Sequence, residues 1–220
     1  ELAYVERVRD VAPTTCCPSP SETLPSENRR RTRGVLFLER CATRLEAAML
    51  VGCHRLQPGC ADGFISMAYV EPERGYQGCS DKMHLVPGVD FAPRWLPVAA
   101  TLGKSWAGFL DLRTASGEYE HGRNLRLFEL RPRQADRVHS FAGTICYDVF
   151  FPKLHRRLMR AGPEGSGPDF FVGGSMEAFE PSMKLARAAL VHTRFRAIEC
   201  RRPYCRVAEG GHSAIVNSNG

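Results

Sequence analysis

At 220 residues, 43% of them apolar and 25% charged, the chain has the size and composition of one globular domain with a substantial core. No apolar run approaches the ~18 residues needed to cross a bilayer, Leu45 to Cys53 being the longest candidate. The net charge of +6 is moderate, and no stacking platform or helix-turn-helix pattern accompanies it, so nucleic-acid binding is not indicated.

Ala12 to Arg33, rich in Pro, Ser, Thr and Arg, reads as the least ordered stretch, and residues 1–33 are poorly defined as structure. Leu45 to Cys53 reads as a helix end running into a strand over Ala48 to Gly52. Phe64 to Val70 has β character and is followed by a turn from Glu71 to Gly75. Val138 to Ile145 predicts a strand that ends abruptly at Cys146. Pro152 then suits a first helical position, Leu154 and Leu158 repeat at i, i+4, and Gly162 stops the helix. Asp169 to Gly174 reads as a short buried strand. Pro181 to Arg202 predicts a helix with a stripe of Ala186, Leu190, Thr193 and Ala197, ended by Pro203. Tyr204 to Val207 and Ser213 to Asn217 are two further strands. Helices and strands alternate, which argues for a mixed α/β layer architecture in a single domain spanning 1–220. The chain opens on Glu1 without a signal peptide and closes on the turn sequence Asn217-Ser218-Asn219-Gly220, so both ends read as cut and a membrane anchor outside them stays open.

The nine cysteines (Cys16, Cys17, Cys41, Cys53, Cys60, Cys79, Cys146, Cys200 and Cys205) are odd in number and sparse, which does not indicate a disulfide scaffold. No C-x-x-C pair occurs, so a zinc site is not indicated either. A lone cysteine is more often a small core residue than a nucleophile. Cys146 differs in its setting, a strand-turn-helix elbow that holds a side chain at the mouth of a sheet. Two arginine clusters, Arg29, Arg30, Arg31 and Arg33, and Arg156, Arg157 and Arg160, read either as solvated faces or as attraction to an anionic phospholipid surface.

Three further segments accompany the elbow Ile145-Cys146-Tyr147-Asp148. They are Pro20-Ser21-Glu22-Thr23-Leu24-Pro25, Ser80 to Pro93 with Asp81-Lys82-Met83-His84-Leu85-Val86-Pro87 inside it, and Arg194 to Pro203 with its continuation to Gly220. Together these resemble the carbon–nitrogen hydrolase (nitrilase) superfamily, whose catalytic set runs Glu, Lys, Cys. Within it they are most similar to the apolipoprotein N-acyltransferases, over roughly residues 20–220. The specific parts are the D-K-x-H-L-V-P segment and the arginine-rich R-x-R-A-I-E-x-x-R-P helix.

The resemblance implies a four-layer α-β-β-α sandwich, truncated at both ends, and no cofactor. It implies Glu22 as general base, Lys82 as the cation beside a Cys146 thiolate and the developing oxyanion, and the Tyr147 backbone N–H as an oxyanion donor. Asp90 and Asp148 would orient Lys82 or close the site. A thiol with the reference pKa of ~8.5 needs such help to ionise at neutral pH. The implied reaction takes an acyl chain from phospholipid as a Cys146 thioester and passes it to the N-terminal amine of a diacylglyceryl-cysteine apolipoprotein. The implied location is the inner membrane, with this domain facing the periplasm and the spanning segments outside this chain. The alternatives are a soluble, cytoplasmic amidase with the same triad, and a diverged inactive domain.

The chain departs from the pattern in several places. The tryptophan before the glutamate loop is missing. Asp90 and Asp148 stand where the family has glutamates. N-x-S-N-D-x-W-F reads Gly173-Gly174-Ser175-Met176-Glu177-Ala178-Phe179. His84 is expected to bond within its loop rather than bind metal, and Arg196 with Glu199 to form a structural ion pair on one helix.

Overall fold

The computed structural model describes residues 2–4, 33–55, 63–87, 89–91, 119–133, 136–178 and 183–220. Two sheets face each other. The first has the order β1 (Leu2–Tyr4), β2 (Ala48–Arg55), β3 (Phe64–Glu71) and β4 (Gly75–Asp81), with β1 parallel to β2 and the rest antiparallel. The second has the order β5 (Leu127–Leu130), β6 (His139–Ile145), β7 (Phe170–Met176), β8 (Tyr204–Glu209) and β9 (Ala214–Val216). Its central β6-β7-β8 ladder is parallel and both edges are antiparallel.

Helix α1 (Arg33–Leu45) covers the first sheet; α2 (Pro152–Leu158) and α3 (Lys184–Cys200) cover the second. The fold is therefore the four-layer α-β-β-α sandwich, and its three apolar clusters are the three contacts between layers. Leu38 and Ala42 of α1 meet Met49, Val51 and Val70. Leu50, Met67, Tyr69, Phe128, Phe141, Ile145 and Val172 fill the space between the sheets. Ala142, Phe171 and Tyr204 meet Leu154, Leu158, Ala189 and Ala197 on the other side. Successive strand residues serve opposite faces: Met49 and Leu50, Phe141 and Ala142, and Phe171 and Val172 divide in this way. A strand buried on both faces reads as a continuous apolar run rather than an alternation. Ser80 Oγ donates to Gly143 O at 3.2 Å and ties the two sheets together near their centre.

The element boundaries differ from the sequence expectation in places, each with a local cause. α3 starts at Lys184, because Met183 sits in the left-handed region (φ 58°); residues 181 and 182 lie outside the described ones. It stops at Cys200, two residues short of Arg202, because Arg201 is also left-handed (φ 53°) and Pro203 bars continuation. α1 was foreseen only at its end near Leu45, and β5 was not foreseen as an element. α1 contains Arg40, Thr43 and Arg44 among its exposed residues, and β5 is only four residues long.

Candidate active site

Strand β6 is apolar and small enough to run through the middle of the sandwich, and it delivers Cys146 at its carboxyl end. Cys146 takes φ 49°, a left-handed conformation that costs a non-glycine residue about 1 kcal/mol or more. A 3-10 turn over Cys146–Phe150 follows, and Pro152 opens α2 at its first position, where a missing N–H does no harm. The carboxyl ends of parallel strands are where open α/β sheets present ligand sites.

Asp148, 1% exposed, locks this elbow to the segment after β4. Its carboxylate accepts the backbone N–H of Ile145 (3.2 Å), Met83 (3.3 Å) and His84 (2.8 Å), and lies 3.0 Å from His84 Nδ1. The His84 ring stacks on Phe151 with centroids 3.7 Å apart, so the partners of His84 lie on the Cys146 elbow and not, as expected, within its own loop. Of the two acids expected near Lys82, Asp90 is the one that bonds its side chain, while Asp148 bonds the backbone on either side of the elbow.

Lys82 follows β4 directly. Its N–H donates to Ile65 O at 2.7 Å and its carbonyl accepts Gly122 N–H at 2.8 Å, which fixes the backbone on both sides. Lys82 Nζ donates to Asp90 Oδ2 at 2.6 Å, and both residues are buried (3% and 6% exposed). Asp90 is held in turn by a tight turn in which its carboxylate accepts Val86 N–H at 2.7 Å.

Cys146 lies within the electrostatic reach of this pair. Burial pushes its thiol above the ordinary range. Lys82 opposes that, Asp90 and Glu177 add to it, and a hydrogen bond from the Tyr147 backbone N–H works against it. The resting sulfur is therefore a thiol within reach of a cation and a backbone donor, and a thiol so placed can act as a nucleophile only once a base takes its proton. Glu22, the expected base, lies outside the described residues. No group of His, Cys, Asp and Glu among the described residues is arranged to hold a metal ion.

A second buried ion pair stands at the ends of β7 and β8. Arg206 Nη2 donates to Glu177 Oε1 and, at 3.0 Å, to Ser175 Oγ, which itself donates to Glu177 Oε1 at 3.0 Å.

No family model matches the chain. Its sequence is 27% identical over 145 residues to the apolipoprotein N-acyltransferase of Geobacter metallireducens, an alignment covering 65% of this chain and 24% of that protein. Among solved structures it matches a CN-hydrolase superfamily protein of Xanthomonas campestris that carries an arsenic adduct in its active site, at TM-score 0.61 and 18% identity, over all of this chain and 71% of the other. It also matches an amidase of Nesterenkonia sp. with acrylamide added to its active-site cysteine, at TM-score 0.54 and 14% identity, over 83% of this chain and 59% of that one. The fold is that of the carbon–nitrogen hydrolases.

Within the carbon–nitrogen hydrolase fold, one departure from the superfamily pattern has a packing cause. Gly173 stands where N-x-S-N-D-x-W-F begins, and it lies in strand β7 rather than in a loop. A β-carbon there would come 2.6 Å from Tyr204 Oη, so the volume an asparagine needs is taken by Tyr204. Tyr204 is 1% exposed and its hydroxyl meets Thr144 Oγ1 at 2.5 Å, two residues before Cys146.

Sequence reasoning passed over the Glu177–Arg206 pair. The signal was present: Arg206 sits inside the apolar strand Tyr204-Cys205-Arg206-Val207-Ala208, and a buried arginine there requires a buried anion on the neighbouring strand. Arg196 and Glu199 pair at 3.0 Å on α3, as their spacing predicts.

Proposed function

We propose that this chain belongs to the carbon–nitrogen hydrolase superfamily and is an acyltransferase of the apolipoprotein N-acyltransferase type, with Cys146 as its nucleophile. The observation that carries the reading is the left-handed cysteine at the end of β6, set beside the buried Lys82–Asp90 pair and bonded by the Tyr147 N–H. A neutral site holding one cation and one backbone donor at a sulfur suits an acyl carbonyl, whose oxygen becomes an anion on attack. The similarity to the Geobacter metallireducens enzyme, and the D-K-x-H-L-V-P and R-x-R-A-I-E segments, favour transfer to an amine over transfer to water.

Glu22, as base, takes the Cys146 proton. The sulfur attacks the ester carbonyl of a phospholipid; a C–S bond forms, the C–O bond breaks, and the lysophospholipid alkoxide leaves with that proton. Lys82 and the Tyr147 N–H stabilise the oxyanion at each tetrahedral stage. The α-amine of the acceptor lipoprotein's N-terminal cysteine then attacks the thioester, loses its proton to Glu22, and releases the thiol. Arg156, Arg157 and Arg160, exposed on and just past α2, supply a basic face toward an anionic lipid surface. No helix among the described residues is long and apolar enough to cross a membrane, so anchoring in this reading comes from segments outside them.

The fold likeness to the Nesterenkonia amidase favours a second reading, in which water rather than an amine resolves the thioester. Intact-mass spectrometry of the full-length protein after incubation with phospholipid vesicles separates the two. An acyl-sized adduct that hydroxylamine releases and Cys146→Ala abolishes is expected of the transferase. Ammonia release from small amides with no such adduct overturns it, and silence in both assays favours an inactive domain.

A further inference from the structure

Two buried charged residues close to Cys146 take no part in that reaction. Arg206 is 2% exposed and Glu177 3%. A buried pair contributes to stability only when its remaining donors and acceptors are satisfied. This one is not saturated: Glu177 Oε2 and Arg206 Nε are buried without hydrogen-bond partners among the described residues.

The pair's place is specific. Ile145 pairs with Gly174 in the parallel ladder, so Cys146 leaves the sheet beside Ser175, the hydroxyl that bridges Glu177 and Arg206. The β8–β9 turn forms a roof, where any β-carbon at Gly211 would overlap Glu177 Oε2. The backbone therefore closes directly over the carboxylate, and its field reaches the thiol with little screening by water.

We propose that Glu177 is a positioning residue of the Cys146 site: its carboxylate, held in place by Arg206 and Ser175, opposes the Lys82 charge at the sulfur. The proposal rests on Cys146 being the nucleophile. A cation beside the sulfur with no such carboxylate against it would hold it as a thiolate of low basicity, and thiolate nucleophilicity falls with basicity. With Glu177 in place, the sulfur keeps its proton until the base removes it, and then attacks as a strong nucleophile. The groups acting on the sulfur are Lys82, Asp90, Glu177 and the Tyr147 N–H. Asp148, next along the turn, is occupied by three backbone N–H groups and His84.

The test is the pH dependence of Cys146 alkylation by iodoacetamide in the full-length protein. Peptide mass spectrometry gives the site and circular dichroism confirms the fold of each variant. Glu177→Gln is expected to lower the midpoint by about one pH unit. Glu177→Asp, which keeps the charge, should stay with the parent, and Arg206→Gln, which unmasks the carboxylate, should raise the midpoint. The opposite signs let either charge-removing variant decide if the other fails to fold. Parent-like midpoints in Glu177→Gln and Arg206→Gln, or equal shifts in Glu177→Gln and Glu177→Asp, overturn the proposal. A parent protein whose Cys146 is not alkylated at any pH overturns the nucleophile reading itself, and this proposal with it.

Discussion

Lys82 Nζ and Asp90 Oδ2 lie 2.6 Å apart with almost no exposed surface on either residue. Breaking one side of a buried pair leaves an uncompensated charge, which costs about 3–5 kcal/mol, whereas replacing both partners with apolar residues is often neutral. Lys82→Met or Asp90→Asn alone should therefore lower the urea midpoint strongly. Lys82→Met/Asp90→Leu should regain most of that stability and still form no acyl adduct. A double variant as unstable as the single ones would show that the pair's geometry, rather than its unpaired charge, sustains the fold.

Asp148 joins the elbow to the Lys82 segment through three backbone N–H groups and His84. An asparagine there keeps one acceptor oxygen and turns an NH₂ group toward N–H donors. Asp148→Asn should cost about 3 kcal/mol, the scale of hydrogen bonds to a buried charge. His84→Ala should cost about 1 kcal/mol or less, since the backbone bonds to Asp148 survive it and the side chain is 31% exposed. Equilibrium denaturation of both variants measures the difference; equal losses would mean that the His84 ring, not the backbone clamp, is the linkage.

His155 is fully buried against Phe171 and Tyr204, and burial lowers its pKa from 6.5 to about 4. Between those values the unfolded chain binds a proton that the folded chain does not, so stability is present above pH 6.5 and is lost as pH falls toward 4. The full loss is about 3 kcal/mol. His155→Phe should flatten this part of the stability–pH curve, read from denaturation midpoints across the interval. A slope unchanged by the substitution would place the acid sensitivity elsewhere.

Gly173 and Tyr204 occupy one volume between them. Gly173→Ala should displace the tyrosine ring, disturb its contact with Thr144 and cost about 1–3 kcal/mol by overpacking. In Gly173→Ala/Tyr204→Leu the two changes should be non-additive, the double variant losing less than the sum of the single ones. Thermal melting of the three proteins gives the coupling directly, and simple additivity would remove Tyr204 as the reason for the glycine.

Much of this architecture was legible because the second sheet is built from strands buried on both faces. Asp169 to Gly174 and Val138 to Ile145 read as short apolar strands, and Ala186, Thr193 and Ala197 mark the buried side of α3. The elbow was legible from an abrupt end to β6 followed by Pro152 and the Leu154/Leu158 repeat. What escaped has tertiary causes. β5 is four residues with Arg126 before it and Arg131 after it, and only its pairing with β6 makes it a strand. α1 begins in the Arg-rich stretch that reads as least ordered, so only its end near Leu45 was legible. The Lys82–Asp90 contact is local and was expected. The Glu177–Arg206 contact joins residues 29 apart in sequence, across two strands, and no spacing rule points to it.

The left-handed backbone at Cys146 bears on whether the chain still works. At φ 49° glycine is the residue that stereochemistry prefers, and replacing cysteine by glycine there would relax the elbow, at the loss of one side chain packed against the core between the sheets. A lineage released from acyl chemistry would gain from that exchange at its first opportunity. In the reading proposed above, the sulfur's work is what holds a cysteine against that pull, and residue 146 becomes a gauge of continuing use.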